Sequence, residues 1–278
     1  MKKLLSIIFM VAFVSALVWA LFSFQFISWD FRNNLWAPTR LIWLGESAYN
    51  ISILVSGSNA IWLPQAIGLF SPLGLLPQYI ATNLWLCLNI VLLLTTIGFL
   101  FHLATSKKPS LLQFGILACG AFILPSTLRH LMLGQIDIVL ILFLILGIYA
   151  AEKGIFFLSG LCFAIALTKP QLCIIVLPCV IANIGFIKKQ YWNLTRLVLA
   201  IVIFSVTLTI PLWVSNSAWL SDFLTNIQSN PNWIQPNIYY LLHSQIGYAG
   251  IMLWFILYIL ILAISFQIWR KRGYHQAM

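Results

Sequence analysis

Apolar runs follow one another along this chain, each closed by a short polar and often basic punctuation. They cover residues 1–24, 79–102, 111–127, 136–151, 156–168, 172–187, 194–214 and 249–269. None shows the period-two alternation of a barrel strand, and several approach the ~20 residues a helix needs to cross a bilayer. Backbone polar groups in lipid must pair within their own segment, so these runs predict helices. The stretch 61–78 is also apolar, but Pro64, Pro72 and Pro77 interrupt it. Each proline removes a helical hydrogen bond, which predicts an interfacial or re-entrant segment rather than a crossing.

Composition places the chain in lipid. Hydrophobic residues make up 62% and charged residues 7%, against roughly 45–50% and about 25% in soluble domains. The expected architecture is all-α, a single integral-membrane domain over residues 1–278: a polytopic bundle of about eight spans. Interfacial or re-entrant helices are expected in its first external loop. The net charge of +10 does not point to nucleic acid, because the basic residues sit in short clusters between apolar runs rather than in one patch. With eight spans, Lys2, Lys3, Lys107, Lys108, Lys153, Lys188, Lys189, Arg196, Arg270, Lys271 and Arg272 fall in the cytoplasm. Arg32, Arg40, Arg129 and Lys169 fall outside. A crossing by 61–78 would turn most lysine clusters outward, against the charge rule. Both termini are therefore expected in the cytoplasm of a plasma or inner membrane. The five cysteines lie in apolar runs without metal-ligand spacing and read as small buried hydrophobes. No zinc motif or Gly-rich phosphate loop is present, so neither a metal nor a nucleotide cofactor is expected.

The few ionisable groups left over gather on one side. Asp30 follows the first run, between Trp29 and Phe31. A carboxylate there can take a proton from a hydroxyl at the membrane surface; it can equally be a solvated loop charge or an N-cap for a helix over 31–44. Glu46 is the second acid of the same loop. Arg129 and His130 precede L-M-L-G-Q-I-D, where Gly134 permits close backbone approach and Gln135 opens the next run. Arg and His suit phosphate oxygens, although a plain turn with Arg129 paired to Asp137 fits as well. A charge near membrane depth costs about 2.5–3.5 kcal/mol on insertion scales, so Asp137 demands a neighbour. Lys169 breaks the positive-inside pattern, which favours an anionic partner over simple snorkelling. The loop 215–248 carries aromatics, amides including Asn237, and His243, a phosphate contact or an interfacial histidine.

Taken in order, these pieces resemble glycosyltransferase family 87, integral-membrane enzymes of the GT-C fold. The likeness rests on the acid after the first run, the proline-broken stretch, L-R-H-L-M-L-G-Q-I-D-I-V-L-I-L-F, and L-S-G-L-C-F-A-I-A-L-T-K-P-Q-L. It runs from about Asp30 to Lys189 and more loosely to His243. The resemblance implies inverting transfer of a hexose or pentose, mannose-like as a first guess. The donor would be a polyprenyl-phosphate sugar and the acceptor a lipid-linked or glycan hydroxyl at the outer face. It implies Asp30 as catalytic base, Arg129, His130, Lys169 and His243 as donor-phosphate contacts, and Gln135, Glu46 and Asn237 as substrate-positioning residues. The chain departs from the family pattern in its short length and in N-A-I-W-L-P-Q before the second span. A transporter or flippase subunit for a lipid-linked or anionic substrate would use the same outward cations; a third reading is an inactive, structural partner in an envelope-biogenesis complex.

This reading requires positions 30 and 169 on one side of the bilayer. In a background lacking the native cysteines, Asp30→Cys and Lys169→Cys are each expected to react with an impermeant thiol reagent from outside. Labelling from opposite sides removes any shared centre.

Overall fold

The computed structural model describes residues 28–55, 60–229 and 238–272, together with Ser15. The expected first span and Asn237 lie outside the described residues. Every element among those described is helical, as a chain whose backbone must satisfy itself in lipid requires. Helix α1 runs through residues 29–43 with one wide π turn, Arg32–Trp36, in its middle. Then come α2 (Pro64–Leu69), a 3₁₀ turn (Ser71–Leu75), α3 (Gln78–Thr105), α4 (Leu111–Ile123), α5 (Pro125–Leu133) and α6 (Asp137–Glu152). After these follow α7 (Phe156–Ala166), the short α8 (Pro170–Cys173), α9 (Val176–Ala182, prolonged by a π turn Asn183–Ile187), α10 (Tyr191–Ser215), α11 (Trp219–Ser229), α12 (Ile238–Ile246) and α13 (Tyr248–Arg272).

Every described apolar run forms helix, but not always as one span. Among the described residues α3, α10 and α13 are long and apolar enough to cross a membrane. The run 111–127 instead breaks at Pro125, and α4 and α5 meet at 71°. Leu124 is held extended, as a residue before proline prefers. At 11 residues, α7 reaches only about 17 Å at 1.5 Å per residue. The run 172–187 is divided between α8 and α9. The described helices therefore reproduce the helical class and part of the span count.

Stretch 61–78 forms α2 and the 3₁₀ turn, with a proline in the first turn of each. Neither piece is long enough to cross. Three side chains of α1 strap the turn in place: Trp36 Nε1 donates to the Leu76 carbonyl at 3.1 Å, Arg40 to Gly74 at 3.1 Å, and Trp43 Nε1 to Ser71 at 2.7 Å. Arg40 is thus committed to a backbone carbonyl of the proline-broken segment. At Gly74 an added Cβ would overlap the Thr39 carbonyl, so this approach requires a glycine.

The centre of the bundle is α6, α7 and α10, brought together by small residues. Without a hydrophobic drive between helices in lipid, close backbone approach supplies the packing. Gly160 of α7 lies so near Ala200 of α10 that a Cβ would overlap the alanine methyl. On the other face, Ser159 Oγ donates to the Gly147 carbonyl of α6 at 2.7 Å. Gly160→Leu is expected to force these helices apart, costing about 1–3 kcal/mol and lowering the thermal midpoint in detergent; an unchanged midpoint would contradict this packing.

Candidate active site

Five separate elements deliver polar side chains to one place beside this centre. Asp30 stands in the first turn of α1, but the N-cap is Ser28 and no side chain caps the helix; the capping reading of Asp30 therefore lapses. One carboxylate oxygen, Oδ2, accepts from Gln135 Nε2 at 2.9 Å, and the other, Oδ1, accepts a long 3.4 Å bond from Asn34 Nδ2. Gln135 follows a glycine whose φ is +67° and where a Cβ would sit 2.6 Å from the Phe31 Cβ. The backbone must turn left-handed there and pass against α1, and Gly134 allows both. Trp85 of α3, fully buried, fixes the pair: its Nε1 donates to the Gly134 carbonyl at 2.9 Å and its ring stacks on Phe31 at 5.4 Å.

Alongside lies the second acid. Asp137, at the start of α6, is ion-paired to Lys169, with Nζ 2.6 Å from Oδ1, and stands 3.2 Å from His130 Nδ1 through Oδ2. Lys169 and Asp137 are each 16% exposed and His130 32%, so the pair is neither solvated nor sealed. The lysine ammonium also lies over the Trp62 ring, 5.4 Å from its centroid. That ring belongs to the segment leading into α2, where Tyr49 OH donates to the Trp62 carbonyl and Ile61 N–H donates to Asn34 Oδ1. Burial raises the Asp30 pKa above its ordinary 3.8; the Gln135 hydrogen bond, Lys169 and His130 pull it down, and Asp137 pushes it up. Gln135, which bonds Asp30, lies two residues before Asp137, which holds Lys169 and His130, so the two acids, the lysine and the histidine share one neighbourhood.

Asp30, His130, Gln135 and Lys169 are brought together; the hydrogen bonds and ion pairs that join them do not include Arg129, Glu46 or His243, and Asn237 lies outside the described residues. Arg129 is exposed on α5 and has no ion pair among the described residues, so Asp137 pairs with Lys169 and His130 instead. The exposed Glu46 lies at the turn after α1, where its backbone carbonyl accepts from Ser215. His243 is on α12, edge-on to Tyr248. Asn34 and Trp62 were missed from the sequence. The spacing of Asn34, four residues after Asp30 on one helix, was a usable signal; nothing local marks Trp62.

The sequence profile of glycosyltransferase family 87 matches residues 61–277. The chain belongs to glycosyltransferase family 87. No curated protein and no solved structure matches it. The matched part of this family member includes His130, Gln135, Asp137 and Lys169, while Asp30 precedes it, so the assignment of the acid rests on the geometry above.

A buried acid with a raised pKa binds its proton more tightly in the native state than in the unfolded chain. Its contribution to stability is full below the ordinary aspartate range and is lost as pH rises through the raised native value. Asp30→Asn removes that cost. Its thermal midpoint is expected to exceed that of the parent at neutral pH and to converge with it in acid; a large loss at neutral pH would mark Asp30 as structural.

Proposed function

We propose that this glycosyltransferase transfers a hexose or pentose, with mannose as first test substrate, from a polyprenyl-phosphate donor to a hydroxyl of a lipid-linked or glycan acceptor. The reaction is placed at the outer face of a plasma or inner membrane, both termini being cytoplasmic, and it inverts the anomeric centre. One observation carries this: a half-buried carboxylate, held through one oxygen by an amide, stands beside a lysine that is itself oriented by a second acid. A carboxylate so held can take a proton, and a fixed cation near it can receive an anion.

In this scheme Asp30 accepts the acceptor hydroxyl proton as the oxygen attacks the anomeric carbon. The bond from that carbon to the phosphate oxygen breaks, and its electron pair leaves with the polyprenyl phosphate, which gains one negative charge. A cation already in place stabilises such growing charge without reorganising at the moment of reaction; Lys169 has this role, with His130 beside it and exposed Arg129 one residue earlier on α5. Gln135 acts through Asp30. Neither a metal nor a cofactor enters the reaction so written, because the lipid phosphate activates the donor. Glu46, His243 and Asn237 are left out of the scheme. The family match lends nothing to the transporter or flippase alternative.

With purified protein and polyprenyl-phosphate mannose, Asp30→Asn is expected to cut kcat by about 10²–10⁴-fold while the donor still binds, and Lys169→Met to raise the donor KM. In the parent, kcat/KM falls on the acid side through a midpoint above the ordinary aspartate value, because the base must be ionised. Retention of full transfer by Asp30→Asn excludes Asp30 as the base.

A further inference from the structure

The two oxygens of Asp30 are not equivalent. Oδ2 takes a 2.9 Å hydrogen bond from Gln135, and Oδ1 takes only the 3.4 Å contact from Asn34. Protonation at Oδ2 weakens the shorter of the two bonds and protonation at Oδ1 the longer, so Oδ1 gives up less while both bonds still orient the carboxylate. Asn34 is 2% exposed and both ends of its carboxamide are committed. Its Oδ1 accepts from Ile61 N–H at 2.9 Å, which orients its Nδ2 toward the carboxylate. This Ile61 bond anchors the segment whose next residue, Trp62, lies over Lys169. Asn226 of α11 braces the same segment by donating to the carbonyls of Tyr49 and Ala60 at 2.8 and 3.3 Å.

We propose that Asn34 is a positioning residue for sugar transfer: it reads its orientation from Ile61 and holds Asp30 so that Oδ1, not Oδ2, receives the acceptor proton. This rests on Asp30 being the base. In the reaction the acceptor O–H breaks, its hydrogen goes to Asp30 Oδ1, the oxygen forms the new glycosidic bond, and the lipid phosphate leaves with the electron pair of the old one. Asn34 keeps its hydrogens throughout. Its work is to fix the rotation of the carboxylate and to favour the ionised form by a donated hydrogen bond. The charged groups facing Asp30 are Lys169 after α7, Asp137 on α6 and His130 on α5; Asn34→Asp keeps an oxygen for Ile61 N–H and so the anchor of the Trp62 segment over Lys169, whereas Asn34→Leu gives that anchor up.

Asn34→Asp isolates the effect. The new side chain still offers an oxygen to Ile61 N–H but replaces the donor to Asp30 with a second carboxylate, which disfavours ionisation of its neighbour. In a polyprenyl-phosphate mannose assay the acid limb of kcat is expected to move up by about one pH unit or more, with donor KM within about twofold of the parent. Asn34→Leu, which removes donor and acceptor at similar volume, is expected to move the limb the same way and to lower kcat across the whole profile. A limb that stays put in both folded variants, with only the amount of folded protein reduced, overturns the proposal and leaves Asn34 as a packing residue. The two levels separate cleanly: transfer by Asp30→Asn sinks the base itself, whereas a dead Asp30→Asn with an unmoved limb at position 34 sinks only the role of Asn34.

Discussion

The shared hold of the Asp137 carboxylate on Lys169 and His130 is the interaction on which the rest of this site depends. A charge lowered toward membrane depth costs several kcal/mol when alone, and breaking one half of a buried pair leaves the other uncompensated. The start of α6, the end of α5 and the turn after α7 must therefore meet, whatever else the helices do. Once they meet, Gln135, two residues before Asp137, can reach Asp30, and Lys169 has a fixed address between a carboxylate and an indole face.

Around that electrostatic fact the apolar residues act as spacers and wedges. Trp85 touches both sides of the Asp30–Gln135 contact, through its ring on Phe31 and its N–H on the Gly134 carbonyl. The proline-rich segment contributes stiffness: it cannot extend α3 toward its N-terminus, and the three bonds from α1 hold it as a short buttress. Small residues at Gly147 and Gly160 let α6, α7 and α10 close up, which sets the distance between Asp137 and Lys169 through their helices.

How much of this was legible in the sequence follows from the range of each force. Helical class came from continuous apolarity, a local property, and it was read correctly. The partition into spans is less legible: Pro125 breaks a run whose composition gives no warning of a 71° bend, and Lys169-Pro170, which reads as a boundary between two crossings, separates the 11-residue α7 from the 4-residue α8. Of the site, Asp30 and Lys169 stood out because an acid next to an apolar run and a lysine between two of them are costly to place, and such cost shows in sequence. The partner of Asp137 was misjudged: adjacency suggested Arg129, but the helical turn of α5 points that side chain to the exposed face and presents His130 instead. Trp62 could not have been found, since a tryptophan before a proline-broken stretch is ordinary in this composition.

The short helices have a consequence for the surrounding bilayer. A hydrocarbon layer is about 30 Å thick, yet α7, which leads into Lys169, has 11 residues, and α4 has 13. Because α7 packs between α6 and α10, of these two lipid meets chiefly the exposed face of α4. It must dimple inward there or leave the ends of that helix partly stranded, a hydrophobic mismatch that costs fractions of a kcal/mol per Å. Thin membranes suit such an element better than thick ones.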